Sequence, residues 1–197
     1  FFNQAQLTDL QRTFQNLLDS LAPEHPEYPK YKQIVDHITR AKNLLTIKEN
    51  PGQGFDQTQF QKHTIATILE HHISEDSEQH AVLNNYLLHK MLHLNQTEAG
   101  RQELATQLTT PQNHKNYTGD IFTDKTKSLN CPTIALLCNE RLWDCVGLAL
   151  LLLPDANFSD LLTNGIEPFR ISCEHGAIRT AQDILNHHVN QIGQYRP

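Results

Sequence analysis

Glycine is scarce in this chain, with eight in 197 residues, and methionine and tryptophan occur once each. Few glycines and few β-branched alternations disfavour a sheet built on tight hairpins and point to helices. Charge is sparse as well: charged residues are 19% of the chain, below ordinary globular usage, and the net charge is −6. Lys and Arg stand singly. Without a basic stripe to neutralise phosphates, nucleic acid is not an expected partner. Long apolar runs are missing too. The longest, Val146 to Leu153, is interrupted by Gly147 and is far short of the roughly 20 residues a spanning helix needs, so no membrane span is expected. The phosphate-cradling GxxxxGK[ST] and GxGxxG patterns and the hydrolase pattern GxSxG do not occur. No cysteine precedes Cys131; the four (Cys131, Cys138, Cys145, Cys173) fall in the last third among Ala, Leu and Val. That setting predicts buried free thiols and a reducing, intracellular compartment rather than a disulfide framework. The opening Phe1-Phe2-Asn3 has no Met and no apolar leader, which suggests a piece of a longer or processed protein.

What the chain does contain is helical periodicity. Leu7, Leu10, Phe14, Leu17, Leu18 and Leu21 form one apolar stripe between Gln4 and Leu21, closed by Pro23 and Pro26. A second stripe (Ile34, Val35, Ile38, Ala41, Leu44, Leu45) predicts a helix from Pro29 to Ile47, ended by Asn50-Pro51-Gly52. A third helix is expected from Gln57 to His72, a fourth from Glu78 to Leu94 with Ser77 as N-cap, and a fifth from Thr97 to Leu108 with Thr97 as N-cap. Residues 112–130 lack periodicity and read as a loop or extended finger. Helices resume at Pro132, where Val146 to Leu152 is apolar nearly all round. The expected class is all-α, with a helical bundle over 1–110 packed on a helix-pair stack over 111–197.

In the last third one short pattern is written twice. The first copy has Thr133-Ile134, Leu137-Cys138, Arg141 and Asp155-Ala156-Asn157; the second has Pro168-Phe169, Ser172-Cys173, Gly176 and Ile184-Leu185. This pattern resembles the ankyrin repeat, in which a Thr-Pro-Leu-His start, two small residues, a turn glycine, paired leucines and an Asp-Val-Asn close follow in that order. Pro168 falls on the family proline, Gly176 on the turn glycine, and Asp155-Ala156-Asn157 on the closing triplet. The departures are Glu167 for the capping threonine, Arg170 and Ala135 for the histidine, Arg141 for the turn glycine, and a spacing about two residues too long. The resemblance covers about residues 120 to 197. It implies stacked helix pairs and a protein-binding surface on the finger tips and first helices, at Asn139, Asn157, Asp160, Asn164 and Arg170, with Trp143 as an anchor or a packing residue. The Asn/Gln/His-rich composition also resembles ankyrin-type effectors of intracellular bacteria, which implies delivery into a host cytosol.

Chemistry has weaker handles. His89 and His93, four apart on one helix, are spaced to share a metal ion, but Lys90 stands where a zincin glutamate is needed. His71-His72 and His187-His188 read as partners of helix C-terminal dipoles. Cys173-Glu174-His175 has a nucleophile and a base, but sequence neighbours rarely reach triad geometry. The leading expectation is therefore a non-catalytic protein–protein interaction module, without metal or cofactor, whose partner is another protein or a neighbouring domain of the parent chain. Two alternatives stay open: a helical enzyme or metal-binding domain using His71, His89 and His93, and a regulatory domain packing on a catalytic domain of the parent chain.

Overall fold

The computed structural model of the chain describes residues 2–72, 77–109, 133–156, 158 and 166–194; the side chains of 70–72, 77–79, 166, 167 and 190–194 lie outside that description. Among the described residues all regular structure is helical. The chain falls into two compact units, Phe1–Gln53 and Gly54–Pro197. The boundary expected at 110/111 lies inside the second unit, where helices before and after it pack on each other.

The first unit is an antiparallel helix hairpin of α1 (Gln4–Asp19) and α2 (Tyr28–Glu49). A capping box starts α1: the Gln6 N–H donates to Asn3 Oδ1 and the Asn3 N–H donates to Gln6 Oε1, each at 2.9 Å. Proline in the first turn of α2 sacrifices no helical hydrogen bond. Gln4 Nε2 donates to Thr46 Oγ1 at 3.0 Å and Gln11 Nε2 to Thr39 Oγ1 at 2.8 Å, so the start of one helix meets the end of the other. Of the stripes read from sequence, Leu7 and Leu18 of α1 and Val35 of α2 are buried, and Ile47, outside the second stripe, is buried as well.

The second unit comprises α3 (Gln57–Lys62), α4 (Ile65–His72), α5 (Ser77–Leu94), α6 (Glu98–Thr109), α7 (Thr133–Asn139), α8 (Trp143–Leu152), α9 (Ile166–Glu174) and α10 (Ile178–Gln194). The single helix expected over 57–72 is broken at His63, whose backbone is extended (φ −79°, ψ 127°). Thr64 restarts the helix by accepting the Thr67 N–H at 3.2 Å. The break leaves carbonyls at the end of α3 without helical partners, and the Lys90 ammonium on α5 donates to two of them, Phe60 at 2.7 Å and Gln61 at 3.4 Å. At the start of α6 the Gly100 N–H donates to Thr97 Oγ1 at 3.0 Å, the cap the sequence predicts.

The two C-terminal helix pairs share one turn, repeated at a spacing of 35 residues. In the first pair the Leu142 N–H donates to the Leu137 carbonyl at 2.9 Å and the Arg141 N–H to Cys138 at 3.1 Å. In the second, Ala177 donates to Ser172 at 2.8 Å and Gly176 to Cys173 at 3.0 Å. Both are Schellman closures, which need a left-handed residue just past the helix end. Arg141 (φ 55°) and Gly176 (φ 68°) fill that position. Arginine therefore adopts the turn conformation that glycine adopts one repeat later.

Packing sorts these helices into two layers. α7 packs on α6 and α9, while α8 packs on α5 and α10; α5–α6, α7–α8 and α9–α10 pack as pairs. With α5 on one side and α10 on the other, Cys145, Val146 and Ala149 of α8 are wholly buried, as are Ile134, Leu136, Leu137 and Cys138 of α7. Each fully buried Val, Leu or Ile contributes about 1.5–3 kcal/mol, so this junction carries much of the unit's stability. Cys173 departs from the expectation of burial. It occupies the same turn position as Cys138 but is exposed: among the described helices α7 has a layer neighbour on each side, α6 and α9, whereas the main neighbour of α9 in its layer is α7.

Candidate interaction surface

The shared turn brings its loops to one edge of the stack. Trp143 opens α8 directly after the first turn and is half-buried, its ring 6.1 Å from the ring of His175 in the second turn. Arg141, Glu174 and His175 are exposed beside it. Asn139, at the end of α7, is half-buried and its Nδ2 donates to Glu140 Oε1 at 3.4 Å. Arg170 on α9 forms an i,i+4 ion pair with Glu174, both side chains largely in solvent, an arrangement that adds little stability. Of the six residues singled out from sequence, Asn139, Trp143 and Arg170 are thus on α7, α8 and α9, and the Trp143 ring meets His175 of the next turn. Asn157, Asp160 and Asn164 lie outside the described residues.

Beneath this edge lies a polar seam between α5 and α8 that periodicity does not reveal. Asn84 Nδ2 donates to Asp144 Oδ2 at 3.3 Å, and the Cys145 thiol approaches the Asn84 carbonyl at 3.5 Å and its Oδ1 at 3.4 Å. His80 Nε2 stands 3.6 Å from the buried Glu140 carboxylate. Burial first, and then the Asp144 charge, push the Cys145 thiol well above its ordinary pKa. It stays a protonated packing group rather than a nucleophile. The only hint of this seam in the sequence is polar Asn84 within an apolar stretch of α5.

The histidines weighed for metal binding sit elsewhere. His89 meets the Phe55 ring edge-on at 5.1 Å and His93 meets Phe60 at 5.5 Å, in a cluster completed by Tyr86. Lys90 Nζ lies between them in sequence, 5.2 Å from the Phe60 ring centroid and 3% exposed. Burial lowers the pKa of both His89 and Lys90, the latter against an opposing pull from Glu103. These side chains pin α5 to the α3–α4 break. Among the described residues no group of three or more His, Cys, Asp or Glu is placed to hold a metal ion. The side chains of His71 and His72, at the end of α4, are outside the description. His187, expected near a helix end, lies inside α10: it is buried, its Nε2 is 3.4 Å from the Leu153 carbonyl, and its ring is 5.4 Å from Phe158. Burial lowers its pKa against the Leu153 hydrogen bond and Asp155, which raise it; His188 adds to the lowering. It therefore serves the α8–α10 contact rather than the α10 dipole.

No helix among the described residues is long and apolar enough to cross a membrane. Comparison with protein-family models, curated proteins and solved structures gives no match to this chain.

Proposed function

We propose that this chain is a protein–protein interaction module, built on a short ankyrin-like helix-pair stack and belonging to a larger multidomain protein. The observation that carries this reading is the repetition of one Schellman turn 35 residues apart, on helix pairs whose equivalent members pack side by side. Modules repeated in this way present their turns and first helices along one continuous edge, and that edge is where such stacks bind protein. Trp143 is its large amphipathic anchor, and Asn139 and Arg170 its polar contacts, with Asn157, Asp160 and Asn164 added from the resemblance. Free, buried Cys138 and Cys145 suit a reducing compartment. The composition favours an effector-type protein acting inside a host cell.

The test is capture of a protein partner by the whole chain, compared with Arg170→Glu, Asp160→Lys and Trp143→Ala. Loss of capture in the charge reversals, with helical circular dichroism unchanged, supports the edge as the binding surface. Unfolding of both charge reversals, or capture that survives all three changes, refutes it. Stoichiometric zinc or iron in the purified protein would favour the metal-dependent alternative instead.

A further inference from the structure

Arg141 is the one non-glycine residue with a positive φ among the described residues (55°), and it stands where the second repeat places Gly176 (φ 68°). Arginine in this conformation crowds its Cβ against the following carbonyl, and glycine does not. Within the chain the return is only the weak attraction of an exposed cation for the end of the α7 dipole. The side chain is exposed, and its guanidinium makes no hydrogen bond or ion pair with a described residue. The carboxylates of the two turns and their flanks are engaged elsewhere. Glu140 faces His80 and accepts from Asn139, Asp144 accepts from Asn84, and Glu174 pairs with Arg170. Backbone strain that holds an unpaired charge in solvent is a mark of ligand-contacting positions. Two residues on, Trp143 presents a half-buried ring, with the exposed His175 imidazole 6.1 Å from it.

We infer, resting on the protein-binding edge proposed above, that Arg141 is its specificity-determining contact and that the edge takes an acidic segment of another protein. The guanidinium pairs with an Asp or Glu carboxylate through two parallel hydrogen bonds. A large apolar side chain within about two residues of that carboxylate covers the Trp143 ring. His175 supplies one further N–H donor. A carboxylate fits this place better than a phosphate. Phosphorylated segments are held by clusters of arginines, and here Arg170 is already paired with Glu174 and Arg179 is not free either. The net charge of −6 does not draw acidic peptides to the chain in general, so selection of one requires a local cation.

Selection of random peptides displayed on phage against the whole chain supplies the probe, and the single tryptophan reports binding by fluorescence. Enrichment of sequences with Asp or Glu close to a large apolar residue is expected. For an enriched peptide, Arg141→Gly should raise the dissociation constant at least about tenfold while the stability of the chain rises. Arg141→Lys keeps the charge at the end of α7 but not the planar fork, and should weaken binding at unchanged stability. An arginine with a structural role alone would move stability and leave the affinity as it was. Enriched peptides without a carboxylate overturn the inference, as does affinity that survives Arg141→Gly. A peptide that binds at least about tenfold more tightly with phosphoserine at its acidic position overturns the choice of a carboxylate. Trp143→Ala, read by calorimetry because it lacks the fluorophore, separates the two levels. Affinity lost with Trp143→Ala but kept with Arg141→Gly removes Arg141 and leaves the edge, whereas affinity indifferent to both removes the edge as well. If no peptide enriches, the linear acidic segment is wrong, and the edge stands or falls on capture of a whole protein.

Discussion

Replacing Arg141 with glycine is expected to stabilise the second unit, although it deletes a long side chain. Arg141 holds φ at 55°, in the left-handed region where contact between Cβ and the following carbonyl costs an L-residue about 1–2 kcal/mol. Glycine avoids that contact but loses about 0.5–1 kcal/mol more in conformational entropy on folding. The difference leaves a gain of about 0.5–1 kcal/mol, because Arg141 is exposed and has little packing to lose. For a domain of this size, that corresponds to a rise of about 1–4 °C in Tm. The second repeat supplies the control. A Cβ added at Gly176 meets nothing within 4 Å, so Gly176→Ala tests the backbone alone and is expected to destabilise by about 1 kcal/mol. Urea unfolding followed by circular dichroism reads both. Arg141→Asn should fall between arginine and glycine, since asparagine tolerates the left-handed region, and β-branched Arg141→Val should fall below arginine. A destabilising Arg141→Gly, or a neutral Gly176→Ala, would refute the claim that the two turns share one strained geometry.

The remaining predictions concern buried polar groups and one close approach. Lys90→Met should cost about 1–3 kcal/mol in urea unfolding, because the carbonyls of Phe60 and Gln61 lose their donor; an unchanged or raised stability would mean that desolvating the ammonium outweighs those bonds. His89 and His187 have folded pKa values lowered chiefly by burial, so above the unfolded value, near 6.5, both states are neutral and stability is complete. As the pH falls below that value the unfolded chain takes up the protons first, so stability declines until the lower folded values are passed. His89→Gln and His187→Gln should each flatten that decline in unfolding curves measured across the mildly acidic range, and an unaltered slope would exclude the residue as its source. Gly100→Ala should destabilise by about 2–3 kcal/mol, because its Cβ would come 2.0 Å from the Leu94 carbonyl oxygen, and a Tm equal to that of the unaltered chain would show that the α5–α6 turn can open.

The helices were legible because their apolar residues recur at helical spacing, as at Leu7 and Leu18 or at Leu83, Leu87 and Met91, and because punctuation is local, as at Thr97. The break at His63 was not. The stripe of Phe60, Ile65, Ile68 and Leu69 runs straight across it, and the group that compensates it, Lys90, lies 29 or 30 residues away from the carbonyls it binds. The turn at Arg141 was legible only by comparison with Gly176, since arginine carries no turn signal. Periodicity also says which positions are apolar but not which of them have a neighbour. For that reason Cys138 and Cys173 read alike in sequence and differ in the structure, and Leu150 and Leu185 do the same. Half of the candidate edge, Asn139, Trp143 and Arg170, falls on described helices.

The order of the described helices of the second unit explains why the stack is covered at α8 by α5 and has no such cover at α10. The pairs α7–α8 and α9–α10 enter through the layer that contains α6 and leave through the layer that contains α5. The pair α5–α6 runs the opposite way: α5 packs on α8, the second member of the next pair, and α6 packs on α7, the first. It is therefore not a third copy of the repeat but a reversed pair laid against it. Its chemistry fits that position, because Asn84 on α5 supplies polar partners to Asp144 and Cys145, and the Gln107 carbonyl near the end of α6 accepts from Thr133 Oγ1 at 3.3 Å. At α10 the described helices supply no such cover. Ile178, Leu185 and Val189 are thus left exposed at the end where the repeat would continue, whereas Leu150, one repeat before Leu185, is buried.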